Sequence, residues 1–125
     1  MKILDEKKMK NLSFPDFDVE KFEFSPQKKE LKIFIEGAWL DMDGGSQLGK
    51  GILYFNDWEN LSISRFDPNI EKWSDLNESS VEPLKDICEM KFNDSTISLY
   101  GFGKKTGHWM GWEIRKAKMH AEFNL

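Results

Sequence analysis

The sequence has a single cysteine, Cys88, which leaves no partner for an intramolecular disulfide and fits either a reducing compartment or a fold that needs no disulfide. It has no run of about 18 apolar residues, the length that a membrane-spanning helix requires. The first ten residues, MKILDEKKMK, lack the apolar stretch of a secretory signal. Repeats and low-complexity segments are also missing, so we expect one cytoplasmic domain, residues 1–125, without a membrane partner.

Positive charge is scarce as well. The chain has 18 Lys and Arg against 22 Asp and Glu, which gives a formal net charge of −4. This balance disfavours binding to nucleic acid and indicates a basic protein as the easier partner. Aromatic residues make up 14% of the chain, and this abundance predicts a core built around Trp and Phe.

Short alternating segments dominate the hydrophobic pattern. Leu31, Ile33, Ile35, Gly37 and Trp39 share one face of a predicted strand. A turn is predicted at residues 26–29, ILYF at residues 52–55 is predicted to be a buried strand, and residues 56–60 are predicted to turn the chain into the next one.

The second half of the chain gives further local expectations. Cys88, Met90 and Phe92 alternate before an Asn93-Asp94 turn, which predicts a hairpin with the segment STISLYGF. Residues 67–80 are predicted to be a long polar connection. A capping-box spacing from Ser79 to Glu82 predicts a helical turn over residues 82–86.

Along the C-terminal segment, the residues expected to face the core change from even-numbered to odd-numbered positions. Met110, Trp112 and Ile114 are even-numbered, whereas Ala121 and Phe123 are odd-numbered. An unbent strand keeps one parity on each face, so we expect a bulge or bend near residue 115.

Together these signals predict a mainly β protein. We expect an antiparallel β-sandwich or small barrel of about seven or eight strands, with at most one or two short helical turns. Residues 1–13 are predicted to be a short helix or frayed N-terminal arm, and residues 14–125 an antiparallel β core.

The stretch GGSQLGKG has the glycine and lysine spacing of a phosphate-binding loop, but such a loop opens onto a helix and has a hydroxyl after the lysine. Here Lys50 precedes Gly51 and a predicted strand. A calcium loop counted from Asp41 would place Gly45 at position 5 and Ile52, not glutamate, at position 12. We therefore expect residues 44–51, and the segment KKTGH within the second glycine-rich stretch, 101–112, to connect strands, with no bound cofactor or metal.

The candidates for catalysis are few. His108 and His120 could form a metal site only by meeting across a sheet, and a pairing of Glu36 with Glu113 rests on nothing in the spacing. Cys88 could act as a nucleophile beside His108, but its alternation with apolar neighbours predicts a core thiol. No catalytic site is predicted, and an enzyme that uses histidines or carboxylates stays as an alternative.

Trp109 and Trp112 are an odd number of residues apart. An unbulged strand would bury one and expose the other, whereas a bulge at Gly111 would bury both. An exposed tryptophan would be a candidate contact residue, because tryptophan is enriched at binding hot spots.

Three segments carry a resemblance to a known group of proteins. The segment LYGFGKKTGHWMGWEIRKAKMHAEF, with LKIFIEGAW and GILYFNDWENLSI before it, resembles small bacterial all-β immunity proteins of polymorphic-toxin and contact-dependent inhibition systems. The resemblance covers about residues 19–123. It implies a non-catalytic cytoplasmic protein that binds and neutralises a cognate toxin domain.

The residues expected to face such a partner are the acidic and aromatic residues of the segments DMD, NDWEN and HWMGW, namely Asp41, Asp43, Asp57, Trp58, Glu59, His108, Trp109 and Trp112. Two alternatives come from the aromatic content. One is a β-barrel that holds a small apolar ligand, and the other is a structural domain that self-associates, so a monomer or a homodimer is expected.

Overall fold

The computed structural model describes residues 1–125 and consists mostly of strands, with 58% of residues in strands and 3% in helix. The elements in chain order are β1 Lys2–Asp5, α1 Glu6–Met9, β2 Leu12–Ser13, β3 Val19–Ser25, β4 Glu30–Ile35, β5 Ala38–Leu40, β6 Ser46–Leu48, β7 Gly51–Asn56, β8 Asn60–Asp67, β9 Lys72–Leu76, β10 Glu89–Asn93, β11 Thr96–Phe102, β12 Trp109–Arg115 and β13 Lys118–Phe123.

The strands form three antiparallel sheets. Sheet I has the order β1-β13-β7-β4-β3, sheet II has the order β10-β11-β12-β8-β9, and sheet III has the order β2-β5-β6. The arrangement is β-sandwich-like and does not close into a barrel, which confirms the predicted mainly β class, although the strands number thirteen rather than seven or eight. The one helix, of four residues, is far too short to span a membrane.

Sheets I and II enclose the main core. Trp112 of β12 is completely buried, and its ring meets the edges of Phe22 and Phe24 from β3 at centroid distances of 5.0 and 5.1 Å. The alternation along β4 and β11 supplies the aliphatic side chains around this contact, such as Ile33 and Leu99. These rings form an aromatic contact within the core, but most of its 23 buried residues are aliphatic, so the expectation of a core built mainly around Trp and Phe is not met.

The chain crosses between these two sheets twice at one corner. It passes from β7 to β8 through Asp57, with φ of 53°, and from β12 to β13 through Lys116, with φ of 54°. The bend expected near residue 115 is thus confirmed, and it marks the point where the chain leaves sheet II for sheet I. Trp112 and Phe123 are buried from positions of opposite parity for this reason.

The predicted face of residues 31–39 is wrong in its last part. The strand breaks after Ile35, and β5 then buries Ala38 and Leu40 and leaves Trp39 39% exposed. Gly37 sits at the break, where an added Cβ would lie 2.6 Å from the Phe17 ring. This close approach favours glycine at the break.

The N-terminal segment is packed along its length. β1 pairs with β13 in sheet I, and α1 is capped by the Asp5 carboxylate, which accepts a 2.9 Å hydrogen bond from the Lys8 N–H. Leu4, Met9 and Leu12 are buried. The short helix expected in residues 1–13 is present but spans four residues, between two strands.

Two expectations for residues 67–86 are wrong. The polar connection contains the edge strand β9, whose side chains are nearly all exposed and so give no alternating pattern. No helical turn forms over residues 82–86, because the Glu82 side chain binds another loop instead of capping a helix. Its carboxylate accepts hydrogen bonds from the β11–β12 loop, as described below.

Candidate functional site

The glycine-rich stretches both join strands, as expected. Gly44 and Gly45 have φ of 89° and 87° in the β5–β6 hairpin, and Lys50 is followed by β7. In the second stretch, Gly107 has φ of 75° in the β11–β12 loop. Neither stretch opens onto a helix, so the phosphate-loop geometry is not formed. Asp41 and Asp43 lie exposed beside the first loop.

The acidic segment NDWEN forms the corner between sheets I and II. Asp57 lies 3.6 Å from Lys118, and Glu59 lies 3.0 Å from Lys116, so both exposed carboxylates pair with lysines at the connection from β12 to β13. Trp58 was expected on the surface, but it is 3% exposed and stacks with Phe24 at 6.2 Å. The expectation for Trp58 is therefore wrong, because the bend turns its ring into the core.

The residues predicted to face a partner do not form one surface. The corner adjoins Arg115 at the end of β12, since the Glu59 N–H donates to the Arg115 carbonyl at 2.9 Å. Trp109 lies at the other end of the same strand, six residues away, or about 20 Å at the rise of a β-strand. Asp41 and Asp43 belong to the loop of sheet III.

Trp109 and Trp112 lie on opposite faces of β12. The pairing of β12 with β8 and with β11 runs without a bulge through Gly111. Trp112 is buried, so the expectation that it contacts a partner is wrong, whereas Trp109 is partly exposed on the outer face of sheet II. His108 is exposed in the loop before it.

The other reactive side chains are dispersed. Cys88 is exposed rather than in the core, because β10 begins only at Glu89. Its thiol donates to the Asp86 carboxylate at 3.5 Å, and partial burial together with Asp86 raises the thiol pKa to about 11. A thiol with such a pKa stays protonated near neutral pH and is a weak nucleophile.

His120 lies on the outer face of sheet I, away from His108. Its ring stacks on Tyr54 at a centroid distance of 4.3 Å, and its Nε2 lies 3.9 Å from the Glu122 carboxylate. The Tyr54 hydroxyl donates to Glu122 at 3.2 Å, and burial and this carboxylate raise the pKa of Tyr54. The two histidines therefore do not meet. Glu36 follows β4 of sheet I, whereas Glu113 lies on β12 of sheet II.

The outer face of sheet II carries a row of aromatic side chains across four strands. The register places Trp73 of β9 opposite Phe66 of β8, and Phe102 of β11 opposite Trp109 of β12. Phe66 lies one position beyond Arg65, which pairs with Met110 of β12, and so is on the same face of the sheet as Trp109. With Tyr100, one row further along, these residues form the aromatic cluster: Phe66, Trp73, Tyr100, Phe102 and Trp109.

The rings of the aromatic cluster touch one another. Trp73 lies 5.4 Å from Phe66 and 6.4 Å from Tyr100, while Trp109 lies 6.3 Å from Tyr100 and 5.1 Å from Phe102, measured between centroids. Tyr100 leans over Gly111, where an added Cβ would lie 2.9 Å from the ring. The small residue lets the rings converge into one raised patch.

Two members of the aromatic cluster are open to solvent, and Phe66, Tyr100 and Trp109 are half-buried between them. Trp73 is 48% exposed and Phe102 is 42% exposed, although large aromatic side chains are usually buried. A contiguous exposed apolar patch of this kind typically marks an interaction surface. It is the strongest candidate for a functional site on the chain.

Glu82 holds the loop that ends at the cluster. Its carboxylate accepts hydrogen bonds from the Lys105 N–H at 2.7 Å, the Thr106 N–H at 2.9 Å and the Thr106 hydroxyl at 2.8 Å. Burial by itself would raise the pKa of Glu82. The hydrogen bonds from Thr106 and Lys105, together with the nearby His108, outweigh burial, so the pKa is lowered. The loop connects Phe102 to Trp109, so Glu82 fixes one end of the aromatic cluster.

Four of the five cluster residues were not predicted as site residues. A signal for two of them is present, since Tyr100 and Phe102 alternate with the buried Leu99. Phe66 and Trp73 gave no such signal, because they belong to an edge hairpin whose second strand has no alternating pattern.

No known protein family, curated protein or solved structure matches this chain. The chemistry of its own surface is therefore the basis for a functional proposal.

Proposed function

We propose that the protein is a cytoplasmic binding protein of the immunity type, which binds a cognate toxin domain and blocks it. The observation that supports this proposal most is the exposed aromatic cluster on the outer face of sheet II. The resemblance of residues 19–123 to immunity proteins and the net charge of −4 point the same way.

The aromatic cluster has the composition of a binding hot spot. Tryptophan and tyrosine dominate measured hot spots, because they bury much apolar area with few rotatable bonds. The cluster lies on a paired sheet, so the rings are held in place before a partner arrives, and less entropy is lost on binding. An acidic protein would also associate quickly with a basic toxin domain.

Replacing Trp73 with alanine should weaken binding to the polypeptide encoded immediately upstream by about tenfold or more, the effect of removing a hot-spot side chain. Trp73 sits on the edge strand β9 and contacts only other cluster rings, Phe66 and Tyr100, among aromatic residues. Isothermal titration calorimetry measures the loss of affinity directly.

Trp39→Ala is the matched control, because Trp39 is similarly exposed but lies on sheet III. It should leave the affinity unchanged. Equal losses for the two variants, or an upstream polypeptide that does not bind at all, would contradict the proposal.

A second copy of the chain is the alternative occupant of this surface. It is favoured by one observation, that β9 is the last strand of sheet II and exposes Trp73 at an open edge. Sedimentation over a dilution series separates the two functions, since self-association predicts a dimer that Trp73→Ala dissociates, and the immunity proposal predicts a monomer without the toxin.

A further inference from the structure

Strand β9 forms an open edge of sheet II. It pairs only with β8, and no backbone hydrogen bond outside the strand ladders involves any residue from 68 to 76. In an antiparallel ladder, alternate residues direct their N–H and C=O groups away from the paired strand. The outward groups of β9 therefore have no partner within the chain and can bond to a further strand.

Two of the features that commonly protect edge strands are missing from β9. Its five residues, KWSDL, contain no proline, and the β8–β9 register runs without a bulge. The other outer strands of sheets I and II are partly covered. The Val19 N–H of β3 donates to the Lys85 carbonyl at 2.8 Å, β10 contacts β2, and α1 contacts β1.

The β8–β9 hairpin also exposes apolar side chains at this edge. Trp73 is 48% exposed, and Ile70, in the turn between the strands, is 59% exposed. Trp73 belongs to the aromatic cluster, so the open edge continues the surface that is proposed to bind the partner. A strand added at β9 would cover the free side of the indole while its backbone bonds to the edge.

The same hairpin is acidic. Residues 60–78 contain four carboxylates and two cations, a net charge of −2, which is half of the −4 of the whole chain. The carboxylates are Asp67, Glu71, Asp75 and Glu78, and the cations are Arg65 and Lys72. None of these six side chains takes part in an ion pair. This charge favours a basic strand at the edge and disfavours a second copy, because like charges repel across a contact.

We infer that β9 is the docking edge for an extended segment of the protein partner, which carries lysine or arginine and pairs with β9 as a further strand of sheet II. The inference rests on the proposed function and adds how the partner is held. Backbone hydrogen bonds to β9 attach the segment, and its side chains pack against the Trp73 ring. Its basic side chains offset the charge of the hairpin.

The experiment measures amide hydrogen exchange by NMR on the full chain, with the peptide acetyl-Lys-Val-Lys-Val-Lys-amide as the probe. Alternate amides of residues 72–76 should exchange quickly in the free protein. These amides alone should slow by about tenfold or more at saturating peptide, because they gain a hydrogen-bond acceptor. A partner that only covered the face of the sheet would not produce this alternation.

Two further peptides test the two parts of the inference on the unaltered protein. Methylation of every backbone nitrogen of the peptide removes the donors that strand pairing needs, and it should abolish the slowing. The peptide with glutamate in place of lysine should bind about fivefold more weakly or worse, the effect of losing several exposed charge pairs.

A proline variant tests the edge from the side of the protein. Proline replaces Ser74 or Asp75, whichever amide exchanges quickly in the free protein, because that N–H faces outward and its loss leaves the β8 pairing intact. Peptide binding should fall by about tenfold or more. The matched control is proline at the fast-exchanging one of Ser46 and Gln47, on the outer strand β6 of sheet III. It should leave binding unchanged, and circular dichroism checks that both variants fold.

Unchanged exchange in β9, slowing without alternation, or equal binding of the methylated peptide overturns the inference. Alternating protection that is already present without peptide and fades on dilution would show that β9 pairs with a second copy, which also overturns it. Titration of the upstream polypeptide separates the two proposals. If it binds and slows exchange elsewhere on sheet II but not in β9, strand addition is wrong and the proposed function stands. If it fails to bind although the peptide titration succeeds, the proposed function is wrong and the docking edge stands.

Discussion

Replacing Trp112 with alanine is expected to lower the free energy of unfolding by about 3 to 5 kcal/mol, the usual cost of deleting a large buried ring. Trp112 is fully buried, and the Phe22 and Phe24 rings contact it from the opposite sheet. The cavity left behind would lie between sheets I and II, where the paired strands cannot collapse around it. Urea denaturation followed by circular dichroism measures the change.

Trp109→Ala provides the control three residues away on the same strand. Its ring lies on the outer face, so we expect a loss of about 1 kcal/mol or less. Trp112→Phe should cost less than Trp112→Ala, since it keeps an aromatic ring and removes the Trp112 Nε1, a buried donor without a hydrogen-bond partner. Equal costs for Trp109→Ala and Trp112→Ala would show that β12 does not separate an inner from an outer face.

Replacing Glu82 with alanine should destabilise the protein by about 3 kcal/mol, because three donors of the β11–β12 loop lose a charged acceptor. Glu82→Gln keeps an acceptor oxygen but not the charge, so it should lose less. The same denaturation experiment, repeated over a pH series, distinguishes the charge from the hydrogen bonds.

The direction in which stability changes with pH follows from the pKa of Glu82. The pKa of Glu82 in the folded protein lies below its ordinary value of 4.5, so the unfolded chain binds the proton more readily. The stabilisation by Glu82 is fully present above pH 4.5 and is lost as the pH falls through the folded-state pKa. The stability difference between wild type and Glu82→Gln should therefore shrink in acid, and a difference that grows below pH 4.5 would contradict the loop-anchoring role.

Local patterns predicted those parts of the fold in which burial alternates. The β10–β11 hairpin followed from Met90, Phe92 and a turn at Asp94, and the crossing at Lys116 followed from a change of parity. The pairing of β7 with β13, or of β8 with β12, joins residues 45 or more positions apart. Pairing over such a distance produces no local pattern in a single sequence, so the order of the strands in each sheet was not predictable.

The candidate site was predictable only in part for the same reason. Trp109 and Trp112 were both named as candidates, because their odd spacing exposes one of them on an unbulged strand. Only the pairing of β12, which has no bulge at Gly111, shows that the exposed one is Trp109. Its contact with Phe102 depends on the β11–β12 register, and the addition of Trp73 depends on an edge strand without an apolar pattern. The prediction for Trp58 was wrong because its acidic neighbours suggested a surface loop. The bend at Asp57 instead turns the indole into the core.

The most direct test of the central claim, that the outer face of sheet II is the binding surface, is hydrogen–deuterium exchange of the chain with and without the upstream polypeptide. β9 is an edge strand with exposed side chains, so its amides should exchange quickly in the free protein. The account predicts slower exchange in residues 66–76 and 100–109 on binding. Protection confined to residues 41–46 and 57–59, with β9 unchanged, would contradict it.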